Sequence, residues 1–89
     1  TNEIPIYKVQ ILTTKKEEKL SPIEGNIISF FKEGNLYKFT IGNETTIQDA
    51  KRLQSLAIKN GYKDSFVIAF YKGKKIDLKE AREIKKSNE

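Results

Sequence analysis

The chain has 89 residues, 37% of them hydrophobic and 33% charged, a net charge of +5, and neither cysteine nor histidine. That length holds one domain with a thin core, burying only roughly 60–65% of the surface its unfolded form exposes. The two missing residue types exclude disulfides, cysteine-ligated metals and every Ser-His or Cys-His nucleophile, and no apolar run approaches the ~20 residues that span a bilayer.

The four tyrosines and five phenylalanines mark a globular composition. Carboxylate chemistry would have to draw on Glu17, Glu18, Glu24, Glu33, Glu44, Asp49, Asp64, Asp77, Glu80 and Glu83, which are scattered through loops and helix ends. The chain is therefore read as non-catalytic, with no metal or cofactor. Only Arg52 and Arg82 are arginine among seventeen Lys and Arg residues. Base edges and phosphates are read best by the arginine fork, so this balance speaks only weakly for nucleic acid, while a polyanionic surface fits the charge. The chain starts at Thr1 without a visible signal peptide and is expected to be part of a longer protein.

Residues 1–5 read as a linker. Tyr7-Lys8-Val9-Gln10-Ile11 then alternates apolar and polar side chains with period two, which predicts a strand over residues 6–12. The pattern recurs as Tyr37-Lys38-Phe39-Thr40-Ile41, again with Tyr, an apolar residue and Ile on one face and Lys with a polar residue on the other. Two related strands in one sheet follow, with one face buried and a polar face displayed. The charged stretch 13–19 has no periodicity and is a loop. Ser21-Pro22-Ile23-Glu24 has the order of a capping box, but Gly25-Asn26 limits any helix to about one turn. Ile27-Ile28-Ser29-Phe30-Phe31 and residues 36–41 flank the turn residues Lys32-Glu33-Gly34-Asn35 and predict a hairpin. Thr45 or Thr46 opens a helix with the stripe Ile47, Ala50, Leu53, Leu56, Ala57 and Ile58, closed at Asn60-Gly61. Residues 65–71, apolar on both faces, form a last strand turned at Lys72-Gly73-Lys74. Asp77-Leu78-Lys79-Glu80 caps a short helix over residues 77–85, ahead of a frayed tail at 86–89.

This order predicts an α+β domain over residues 6–85: a split βαβ, four-stranded antiparallel sheet of the ferredoxin or RNP type. Helices cover one face, the first helix is shortened, and a short extra helix ends the chain. The other face is expected to stay open.

Taken together, Tyr7-Lys8-Val9-Gln10-Ile11, Leu36-Tyr37-Lys38-Phe39-Thr40-Ile41-Gly42, Ala50, Gly61-Tyr62-Lys63-Asp64-Ser65-Phe66-Val67-Ile68-Ala69-Phe70, Gly73-Lys74-Lys75-Ile76 and Glu80-Ala81 resemble the SPOR domain. More narrowly, residues 6–82 are similar to the SPOR modules at the C-terminus of N-acetylmuramoyl-L-alanine amidases of Bacteroidetes-type bacteria. The resemblance implies a monomeric periplasmic module that binds peptidoglycan glycan strands lacking stem peptides and so brings an attached amidase to the division septum, without nucleic acid and without membrane insertion. It places the glycan across the open sheet face on Gln10 and Lys38, with Leu36 and Thr40 beside Lys38 on the same strand face. Phe66 and Ile68 are assigned to that face because the smaller Ser65, Val67 and Ala69 fit better under a helix. An amide can both donate to and accept from sugar groups, and the lysine could reach lactyl carboxylates uncovered by peptide removal. The sequence departs from the family pattern at Leu12, where glycine is common, in the lost first helix, and at aliphatic Leu36, where many members carry an aromatic.

Plainer readings stand beside these. Lys8 and Lys38 could blunt a sheet edge, Gln10 and Thr40 could simply face solvent, and Lys72, Lys74 and Lys75 could form a solvated turn. Tyr7, Tyr37 and Phe39 are read as core, and one of Phe30 and Phe31 should point outward. The competing functions are an RNA-recognition module, which would need aromatics on the open face, and a protein-interaction module that pairs through a strand edge.

Overall fold

Period-two alternation builds the sheet in the computed structural model, which describes residues 4–87. In chain order the elements are β1 (Ile6–Thr14), β2 (Ser29–Glu33), β3 (Leu36–Glu44), α1 (Ile47–Lys59), β4 (Phe66–Tyr71), β5 (Lys74–Ile76) and α2 (Leu78–Ser87). The five strands form one antiparallel sheet in the order β2-β3-β1-β4-β5. The two copies of the Tyr-Lys pattern are neighbours, with Val9 opposite Ile41 and Gln10 opposite Thr40.

Both helices cover one face. Val9, Ile11, Phe39 and Ile41 pack with Ile23 and Ala57 of α1, while Tyr7 and Ala69 pack with Ala50 of α1 and Ala81 of α2. The helix residues at these contacts are alanines with no exposed surface, so the helix backbones approach the sheet closely. Tyr7 and Phe39 are core residues as the alternation predicts, and Tyr37 is packed against that core. Thr46 caps α1, its hydroxyl accepting from the Asp49 N–H at 3.2 Å, and Asp77 caps α2, accepting from the Glu80 N–H at 2.7 Å.

The structure departs from the sequence expectation in several places. The sheet has five strands, not four. Lys72 and Gly73 both have positive φ, 51° and 80°, the backbone of a two-residue hairpin turn, so the chain reverses at once and residues 74–76 pair with 69–71. The expected first helical turn is absent. Glu24 and Gly25 have φ of 45° and 85°, incompatible with a helix, and close a miniature hairpin in which Ile23 and Asn26 exchange backbone hydrogen bonds of 3.0 and 2.8 Å. Finally, α2 continues to Ser87, beyond the expected end near Lys85; residues 88–89 of the expected tail lie outside the described residues. At the other terminus residues 1–3 of the expected linker lie outside them too, and Pro5 is fully buried against the domain.

The sheet is strongly curled. Phe31 of β2 and Phe70 of β4 meet edge to face with ring centroids 5.2 Å apart, although β3 and β1 lie between their strands. Glu33 of β2 lies 3.8 Å from the Lys75 ammonium of β5, the opposite edge strand. Phe31 pairs with Lys38, and Phe70 alternates with the helix-packed Ala69, so these contacts form over the helix-free face. The expected open face is instead a concave trough.

Candidate functional site: the concave sheet face

Strand alternation brings Gln10, Lys38, Thr40, Phe66 and Ile68 to the helix-free face, with Leu36 two residues before Lys38. Their accessibility differs from the expectation of a displayed surface. Gln10, Thr40 and Ile68 are only 5%, 2% and 5% exposed, because the curl folds the sheet over them. Leu36 and Lys38 are half-buried, and Phe66 is 46% exposed. Of the adjacent phenylalanines, Phe31 turns into the trough and Phe30 turns to the other side, 5.3 Å from the Tyr37 ring.

The two lysines of the repeat are engaged. Lys38 donates a hydrogen bond to Glu33, and together with the nearby Lys75 charge this holds the Glu33 carboxyl below its ordinary range. Lys8 donates to Asn43 Oδ1 at 2.7 Å, its ammonium 6.0 Å from the Phe70 ring centre, and burial pushes its pKa down. Both sit on interior strands, β1 and β3, so edge-blunting does not explain them.

One end of the trough opens into a cavity of about 300 Å³ lined by Gln10, Leu12, Thr13, Asp64 and Phe66. A β-bulge after Gln10 creates it: Ile11 and Leu12 both pack toward the helices, which returns Thr13 to the face of Gln10. Gln10 Nε2 donates to Thr13 Oγ1 at 3.1 Å, whereas Gln10 Oε1 is buried with no hydrogen-bond partner among the described residues. A buried carbonyl left unpaired costs roughly 1–3 kcal/mol. The lining thus sets the polar side chains of Thr13 and Asp64 beside the apolar Phe66 ring, while the Gln10 carbonyl is itself buried, a set that suits a ligand rich in O–H or N–H donors.

Leu12 and Thr13 are brought to this cavity, Thr13 from a stretch expected to be a loop but continuing β1, and Asp64 joins them from the loop before β4. The sequence signal for Asp64 was the Gly-Tyr-Lys-Asp run. Nothing local signalled the bulge, nor the closure by Glu33, Phe31 and Phe70, since each depends on pairing partners distant in the chain. Among the described residues no group of His, Cys, Asp or Glu could hold a metal, and no helix is long and apolar enough to cross a membrane.

These features define a small α+β protein with two helices and a curled five-stranded antiparallel sheet. No family model matches the chain, and comparison with curated proteins and with solved structures gave no match.

Proposed function

We propose that this domain is a non-catalytic glycan-binding module of the SPOR type, which recognises peptidoglycan strands lacking stem peptides and localises an attached periplasmic amidase to the division septum. The observation that carries the reading is the cavity at the end of the trough, bordered by Gln10, Thr13 and Asp64 and walled by the exposed Phe66 ring. A sugar hydroxyl or acetamido N–H can donate to the polar side chains of that lining, and the ring would cover an apolar sugar face. The fold fits the proposal as a split βαβ sheet in the order β2-β3-β1-β4, with β5 added at one edge and a loop in place of the first helix. Within this reading Gln10, Thr13 and Phe66 make the sugar contacts, Leu36, Thr40 and Ile68 shape the trough, and Lys38, already paired with Glu33, acts on its curvature instead of reading a lactyl carboxylate.

Co-sedimentation with purified sacculi tests this, comparing untreated sacculi with sacculi stripped of stem peptides by an amidase, at two salt concentrations. Binding should rise on stripping and fall only gently with salt, since neutral hydrogen bonds carry it. Phe66→Ala and Gln10→Leu should each weaken it by about tenfold, the effect of losing one well-formed desolvated contact. Absence of binding to either preparation sinks the proposal, and a steep loss with salt would favour a polyanion such as RNA.

A further inference from the structure

The helix-covered side of the sheet carries a second cavity, of about 420 Å³, lined by Tyr7, Ile47, Gln48, Arg82, Lys85 and Lys86. We propose that it binds a phosphate-type dianion, a site independent of the glycan reading and on the opposite side of the sheet.

Three observations converge there. The first is charge. Three cationic side chains line the cavity and, among the described residues, no carboxylate does. Asp49, the acid in the first turn of α1, is paired with Arg52 at 2.8 Å, and no ion pair engages Arg82, Lys85 or Lys86 among the described residues.

The second is backbone. The Asp49 N–H is taken by the Thr46 hydroxyl and the Ala50 N–H by the Thr46 carbonyl, which leaves the Ile47 and Gln48 N–H groups as the unused donors of the first turn. Ile47 and Gln48 are the two residues of α1 that line the cavity. Lys85 reaches the loop that leads into this turn, its ammonium 3.5 Å from the Thr45 carbonyl.

The third is Tyr7. It is 3% exposed, it lines the cavity, and no described residue hydrogen-bonds its hydroxyl. Basic residues in the last turn of α2 complement that helix's own dipole. The dipole does not account for Arg82 a turn earlier, nor for a largely buried tyrosine at the cavity wall whose hydroxyl meets no hydrogen-bond partner among the described residues. A tetrahedral oxyanion can accept from several such donors, and two negative charges match three cations better than the single charge of a carboxylate. The volume also leaves room for the group that carries the phosphate.

Amide chemical shifts in a ¹⁵N-labelled sample, titrated with inorganic phosphate against sodium chloride at matched ionic strength, provide the test. Glucose 1-phosphate and dimethyl phosphate serve as further arms, separating a monoester dianion from a diester monoanion. Phosphate and the monoester should shift the Ile47 and Gln48 amides saturably, with the diester weaker. Arg82→Ala and Lys85→Ala should each raise Kd by about tenfold, the loss of one charge-assisted hydrogen bond. Tyr7→Phe, which keeps the ring, should raise it by about threefold with an unchanged unfolding midpoint, and Lys72→Ala should leave it unaltered. Shifts that chloride reproduces, or that survive both Arg82→Ala and Lys85→Ala, overturn the proposal. Failure here leaves glycan binding through Gln10 untouched, and loss of glycan binding leaves this result standing.

Discussion

Gln10 is held in a position that costs the fold stability. Its amide spends one donor on Thr13 and leaves a buried carbonyl without a partner. Gln10→Leu should therefore raise stability by about 1 kcal/mol in urea unfolding, because it removes an unsatisfied acceptor and adds apolar contact. The same substitution should weaken binding to stripped sacculi by about tenfold. A stability loss of several kcal/mol would mean that the Gln10 carbonyl has a partner in solution. Gly42 shows the opposite kind of constraint. Its φ is 87°, and a Cβ there would run into the Leu53 side chain of α1. Gly42→Ala should cost about 2 kcal/mol by the same measurement, from strain and overpacking together. At this scale the sequence was legible where a residue's role is set by its own strand. Tyr7, Val9, Phe39 and Ile41 lie under the helices because alternation places them there. The burial of Gln10, Thr40 and Ile68 was not legible, because it is produced by the curl of the whole sheet and not by any alternation within β1, β3 or β4.

At the level of elements, α1 was readable from end to end: a Thr cap, a 3.6-residue apolar stripe and an Asn-Gly stop are all local signals. β5 was not, since Lys74-Lys75-Ile76 carries no alternation of its own and becomes a strand only because the Lys72-Gly73 turn lays it against β4. That strand brings Lys75 to Glu33, joining the two edge strands of the sheet. Acid should weaken this link. The Glu33 pKa is lowered in the folded chain, first by the Lys38 hydrogen bond and then by the Lys75 charge. A lowered carboxyl pKa contributes stability above the ordinary value of 4.5, and that contribution is lost as pH falls through the lower folded value. The difference in thermal midpoint between the parent chain and Glu33→Gln should thus be present at pH 6 and vanish at strongly acid pH. A difference that persists unchanged in acid would show that the glutamate charge is not what the lysines hold.

For the molecule as a whole, the arrangement separates two surfaces by chemistry. The concave side presents a cavity lined by Thr13, Asp64 and one exposed phenyl ring, while the far side gathers cations around the start of α1. The sequence made the first surface legible through the repeated Tyr-Lys strands. The second escaped it, because Tyr7, Gln48 and Arg82 come from three elements that only the packed fold brings together. The curl has a further effect, on solubility. An open sheet ends in two rows of unpaired peptide groups, which invite a second copy of the chain to add its own strand. Here β2 and β5 bend toward each other, with Phe31 set against Phe70 and Glu33 near Lys75, so an incoming strand would meet an ion pair and the mouth of a trough instead of a flat margin. The same bend that shapes the trough thereby works against strand addition at either edge of this 89-residue chain.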